Sequence, residues 1–192
     1  MDVHLGPGLG EVHDAADEVL DFWFSELTPE QWFAKDAGVD RQCAERFATM
    51  RDDVLASDAL GWRGEPETML AAIILLDQIS RNAYRDSPRA FEADPLAERL
   101  SREAIAKGWV GEFPPDHAQF LLLPLQHAEH ADAQRLSIAQ YEALGLAEQI
   151  GYAREHRDVF ERFGRFPGRN AALGRESTPE EKEYLSQPGA GW

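Results

Sequence analysis

Asp77, Gln78, Arg81, Asn82 and Arg85 stand at i, i+1, i+4, i+5 and i+8, which on a helix gathers them within about 140° of one face. They follow directly on Met69–Leu76, a run with no polar residue. Hydrogen-bonding groups therefore begin where a buried rod ends, and they must satisfy one another or a ligand. The pattern is repeated at Gln126, His127, Glu129, His130 and Gln134, which come after Phe120–Leu125, a stretch apolar apart from Pro124. A third set opens with His156, placed within an apolar stripe of Tyr152, Val159, Phe160 and Phe163, and continues into an arginine-rich turn.

These residue types suggest two kinds of chemistry. His127 and His156, the side chains that titrate near neutral pH, are the candidate general bases, with Glu129 or Asp77 to orient them. Arginine is the fork-shaped donor for carboxylate or phosphate, and from Arg154 to Arg175 there are six arginines against three acids. Part of that charge is ordinary surface lacing, since Arg154–Asp158, Arg157–Glu161, Asp158–Arg162 and Glu161–Arg165 are i,i+4 pairs. Arg162, Arg165, Arg169 and Arg175, with Asn170 among them, reach beyond such pairing, and together with Arg81 and Arg85 they form a candidate anion clamp. The competing reading is that these guanidiniums bond helix-end carbonyls and acidic neighbours and hold a loop to the core. His127 and His130 at i,i+3 would chelate a divalent ion only with a third ligand from another helix, and Glu129 points about 100° away from His130. The spacing assigns no metal and no cofactor.

Helices must carry these groups. Alanine (27) and leucine (20) far outnumber valine, isoleucine and threonine together (17), a balance that favours helix over strand. Thr28-Pro29, Asp94-Pro95 and Thr178-Pro179 each place a capping side chain before a proline, and Gln31 and Glu181 complete capping boxes after the two threonines. Helices are expected from about Ala15 to Phe24, briefly after Pro29, then from about Asp40 to Ser57, Glu67 to Tyr84, Asp94 to Lys107, His117 to Gln126, Ala131 to Leu144, Ala147 to Phe163 and Pro179 to Leu185. The segment from Met69 to Leu76 is apolar on every side and should run through the middle of the core. Residues 1–13, rich in glycine, read as a flexible tail, and residues 14–192 as one all-helical domain.

Other classes are excluded by composition. At 192 residues one core suffices, and such a chain buries roughly 70% of its unfolded surface. A net charge of −16 repels a phosphate backbone, so no nucleic-acid partner is expected. The longest apolar run has eight residues, short of the roughly 18 needed to span a membrane. A single cysteine, Cys43, makes no internal disulfide, and no signal-peptide pattern opens the chain; a cytoplasmic address is expected.

The ordered series Ile74-Leu75-Leu76-Asp77-Gln78, Arg81-Asn82, Phe120–Pro124 with His127 and Glu129, His156, then Arg162-Phe163-Gly164-Arg165-Phe166-Pro167, Arg169-Asn170 and Leu173-Gly174-Arg175 with Ser177-Thr178 resembles the bacterial DUF924 family. The likeness runs from about Leu20 to Leu185 and implies a TPR-like array of antiparallel helices; it implies no reaction. The chain departs from the family pattern at Ile79-Ser80, where Phe-Pro is usual, at Gln126, where Glu is usual, and at Gly168, where His is usual.

The expectation from sequence is a pocket where the three polar tips meet, taking a small anionic molecule or a peptide carboxylate on its arginines, with the amides setting orientation. One alternative is a hydrolase- or lyase-type enzyme using a histidine and a carboxylate in that pocket. Others are a groove for a partner peptide and a purely structural polar network. Neither a G-x-S-x-G elbow nor a phosphate-cradling glycine loop is present.

Overall fold

The computed structural model describes residues 9–191, and among them there is no strand. Helix α1 spans Leu9–Asp21 and ends in a π-helical turn, Phe22–Glu26. Helix α2 spans Ala37–Ala56. Helix α3 starts at Pro66–Ile73 and continues unbroken through a π-helical Ile74–Ile79 into a last turn, Ser80–Ala83. The remaining helices are α4 (Asp94–Ala106), α5 (Pro115–His127), α6 (Ala131–Leu144), α7 (Ala147–Phe163) and α8 (Pro179–Leu185).

Consecutive helices pack as pairs, α4 on α5, α5 on α6 and α6 on α7, because their connections are too short to allow anything else. Gly145 and Gly164 stop α6 and α7 with φ of 69° and 70°, a left-handed turn that costs glycine nothing. The succession of antiparallel pairs is compatible with a TPR-like arrangement. Helix α3 is the axis: it touches α1, α2, α4 and α5, and from Thr68 to Ser80 every residue is buried. The core built around it is continuous from Val12 to Ala153. No described helix is long and apolar enough to cross a membrane.

Three local expectations are corrected. The expected tail, residues 1–13, is helical from Leu9 onward, where Val12 is buried against the core; residues 1–8 lie outside the described residues. After Thr28-Pro29 there are only turns, although the Thr28 N–H donates to Gln31 Oε1 at 2.9 Å as a capping box would require. Tertiary docking overrides the local signal here, since the Trp32 indole donates to the Trp23 carbonyl at 2.7 Å and its ring packs edge-on against Phe24 and Phe120. Asp94 is not a cap: Ala93 holds that position without a side-chain bond, and the carboxylate is used elsewhere, as described below. The Thr178 capping box forms as expected.

One organising residue left no signal in the sequence. Arg51 of α2 is fully buried; its Nε donates to Ser80 Oγ at 2.7 Å and its Nη2 to the Arg89 carbonyl at 2.9 Å, while Nη1 serves Asp52 and Glu92. It ties α2 to the end of α3 and to the α3–α4 connection. Removing a partner from such a buried set strands the others, at a cost of about 3–5 kcal/mol. Arg51→Met should therefore lower the midpoint of thermal unfolding by roughly 10 °C, measured by circular dichroism.

Candidate functional site

The π-helical stretch of α3 carries Asp77, 1% exposed, into the same place as the C-terminal end of α5. His127 Nδ1 lies 2.9 and 3.0 Å from the two Asp77 carboxylate oxygens. Gln78 Nε2 donates to the same carboxylate, and Arg81 Nη1, one turn on, sits 2.8 Å from Asp77 Oδ1. An ionised carboxylate only accepts, so the pairing places the imidazole proton on Nδ1 and leaves a lone pair on Nε2. Both hydrogen bonds of the ring among the described residues are made by Nδ1, and His127 lines a surface cleft.

Arg81 continues to Asp94, to which it donates in bidentate fashion at 3.0 Å and 3.0 Å. Arg169, 8% exposed, donates to Asp94 Oδ2 at 3.1 Å and to the His127 carbonyl at 2.6 Å. The Phe91 ring lies under both guanidiniums, 5.6 and 4.9 Å from their centres. Two arginines thus converge on one carboxylate at the start of α4. Glu129 is held by a bidentate Arg175, at 2.8 and 3.0 Å, and by the Phe166 N–H at 2.7 Å. Asn170 links this pair to the next, accepting from Arg175 Nε at 2.9 Å and donating to Glu181 Oε2 at 3.2 Å; Arg165 clasps the same Glu181 at 2.7 and 2.9 Å.

The three polar tips do meet, as one network running from Asp77 to Glu181. The arginines, however, are already occupied. Arg85 is bound to Asp40 at 2.6 Å and to Asn82 Oδ1 at 2.8 Å on the α2 side, away from the cluster. Arg162 pairs with Glu180 at the surface. Arg81, Arg165, Arg169 and Arg175 each hold a carboxylate of this chain, so the expected open clamp is filled from within. His130 caps α6 and pairs with Glu98 at 2.9 Å. Among the described residues no three His, Cys, Asp or Glu side chains are grouped to hold a metal ion. Asp94 and Phe91 are the members that the sequence reading missed; the Asp94-Pro95 pair was visible, but as a helix start.

Burial opposes the charge on Asp77, yet Arg81, His127 and Gln78 together hold its carboxyl well below the usual range. Burial lowers His127, against the pull of Asp77 and with help from Arg81 and Arg169, so the ring is neutral at pH 7. His156, 7% exposed, donates Nδ1–H to the Tyr152 carbonyl at 2.8 Å, and the Gln126 amide lies 3.3 Å from the same nitrogen. Burial first, then the neighbouring His127, takes its pKa down to about 3. The two rings are 5.8 Å apart; His127 is the one that lines the cleft, and His156 stands behind it.

The cleft has a volume of about 660 Å³. Phe91, Pro95 and Leu173 are among its apolar lining, and Glu92, Asp94, Glu98, His127, Glu129, His130 and Arg169 are its polar lining. Among the described residues no serine, threonine, cysteine, lysine or tyrosine is in the lining.

These features define an all-helical protein in which a buried aspartate is paired with a histidine that lines a cleft. The family model described as "Bacterial protein of unknown function (DUF924)" matches residues 19–189, and the chain belongs to that family. It is similar to the solved structure of a protein of unknown function, ATU0120, from Agrobacterium tumefaciens, at 38% identity and a TM-score of 0.85, over 91% of this chain and 98% of that one. No curated protein matches the chain.

The depressed histidines make stability depend on pH with a definite sign. In the window below the ordinary histidine value of 6.5 the unfolded chain binds more protons than the folded one, so folding free energy is fully present above pH 6.5 and is lost as pH falls toward 3. Asp77, Glu129 and Glu181, all held below their ordinary values, lose stability in the same direction at lower pH. Urea unfolding should show stability dropping between pH 6.5 and 4.5, before carboxylates contribute. His156→Phe should flatten that part of the curve by about 1.4 kcal/mol per pH unit.

Proposed function

We propose that this protein is an enzyme of hydrolase or lyase type in which His127 is the general base. The supporting observation is the pairing of the ring: Nδ1–H is committed to a buried Asp77, which leaves the lone pair on Nε2, and His127 is one of the residues that line the cleft. A base so oriented and neutral at pH 7 is fit to take a proton. Because the lining offers no hydroxyl, thiol or amine nucleophile, the proton comes from a water that attacks the substrate directly, or from a carbon acid. Arg169 beside the ring is placed to stabilise negative charge as it develops.

The charge of the site bears on the substrate. Among the described residues the lining carries four carboxylates, Glu92, Asp94, Glu98 and Glu129, and one guanidinium, Arg169. Arg81 and Arg175 reach Asp94 and Glu129 without themselves lining the cleft. Binding a small anion or a peptide carboxylate, the ligand expected from sequence, would require Arg81 and Arg169 to release Asp94. An uncharged or cationic substrate with an apolar portion suits the lining better, and a chain of charge −16 steers in the same sense.

The test is a panel of chromogenic esters, amides and phosphate esters, run with wild type, His127→Gln and Asp77→Asn. Turnover on at least one member should rise through a single ionisation below pH 6.5 and fall about 10²–10⁴-fold in His127→Gln. In Asp77→Asn the wrong tautomer should give a comparable loss. Turnover that is untouched by His127→Gln, or absent across the panel, would overturn the reading.

A further inference from the structure

We infer that Gln134 is a positioning residue for His127, holding the backbone on both sides of it so that the imidazole keeps its place against Asp77. This rests on the role proposed above for His127. The last carbonyls of a helix lack intrahelical donors, and His127 closes α5 just before the chain turns extended at Ala128, with φ −74° and ψ 135°. Gln134, in the first turn of α6 and fully buried, reaches back over this corner. Its Nε2 donates to the Gln126 carbonyl at 2.7 Å and to the Ala128 carbonyl at 2.8 Å. The carbonyl between them, that of His127, receives Arg169 Nη2. Three successive peptide oxygens around the base are thus held by two side chains.

Gln134 makes these bonds at an evident cost. Its Oε1 is buried and has no hydrogen-bond partner among the described residues, a state that disfavours a polar side chain in a core. Both targets are acceptors, so only the NH₂ end of an amide serves them. A glutamate in its place would set oxygen against oxygen, and a leucine would leave both carbonyls unbonded. An apolar residue would fill a position facing the core at less cost, unless the two donated bonds are what matters there. The groups that face the His127 ring are Asp77, His156, Arg81 and Arg169; a shift of the corner moves the ring relative to all four.

Ser137, one turn further along the same face of α6, supplies the control. It too is fully buried, with an oxygen that has no hydrogen-bond partner among the described residues, so it makes no bond to the α5–α6 corner. In ¹⁵N-labelled protein, His127 of the wild type should be the Nδ1–H tautomer with a midpoint below 6.5. In Gln134→Leu the ring signals should report mixed tautomers and a displaced midpoint, while Ser137→Ala leaves both unchanged. With a substrate from the panel, Gln134→Leu should lower kcat about ten- to a hundred-fold with KM little altered, the consequence of a base displaced by a fraction of an ångström to an ångström. Gln134→Asn, whose shorter amide cannot bridge both carbonyls, gives the same reading if the leucine variant does not fold. A folded Gln134 variant with the wild-type His127 tautomer and midpoint would overturn the inference, as would Ser137→Ala shifting them equally. A displaced ring in a protein with no His127-dependent turnover would support the positioning and remove the catalytic reading.

Discussion

The site depends on a carboxylate placed where a carboxylate is expensive. Asp77 lies on the most buried helix of the molecule, and an ionised group there is stable only if every lone pair is met. Gln78, Arg81 and His127 meet them, and each obligation passes outward. Arg81, brought in to balance Asp77, requires Asp94; Asp94 draws in Arg169; Arg169 reaches the main chain of His127. The network is a chain of compensation that starts at one buried charge and ends at the surface cleft. Its π-helical origin fits a general pattern, since an extra residue in a helical turn is found often at functional positions.

The same logic explains the cationic stretch in an acidic protein. The arginines after α7 are spent on particular acids: Arg165 on Glu181, Arg175 on Glu129, Arg169 on Asp94. Their partners come from α8, from the α5–α6 corner and from the start of α4, so the turn following α7 is the joint at which distant helices are fastened. Such bidentate pairs, partly withdrawn from water, are stronger than exposed ones. What these pairs leave along the cleft is His127, Arg169 and a lining rich in carboxylate.

Much of this was legible from residue order. The polar groups at Asp77, Gln78 and Arg81 next to an all-apolar run marked the end of a buried rod, and the second set at Gln126 to Gln134 marked another; the packing of α3 and α5 brings both ends together. The family motifs fell on the same positions. Less was legible in partner choice. Nothing in the spacing of Arg51 distinguished it from the other arginines of an exposed helix, yet it is wholly enclosed. Asp94 beside Pro95 carried a strong helix-start signal that masked its use as the shared anion, and the Thr28-Pro29 signal was overruled by the docking of Trp32.

The order of amino acids by itself determined that the chain is helical, where its central helix lies, and which polar groups could not be left alone, because propensity, capping and hydrophobic periodicity act over a few residues and can be read locally. Which acid each arginine holds, which of two histidines lines a cleft and which stands behind it, and whether a clamp is open or filled were decided only by the tertiary structure. The partners are separated by tens of residues, from Asp77 to His127 and from Asp94 to Arg169, and their pairing is set by the packing of whole helices, a geometry that no short window of sequence contains.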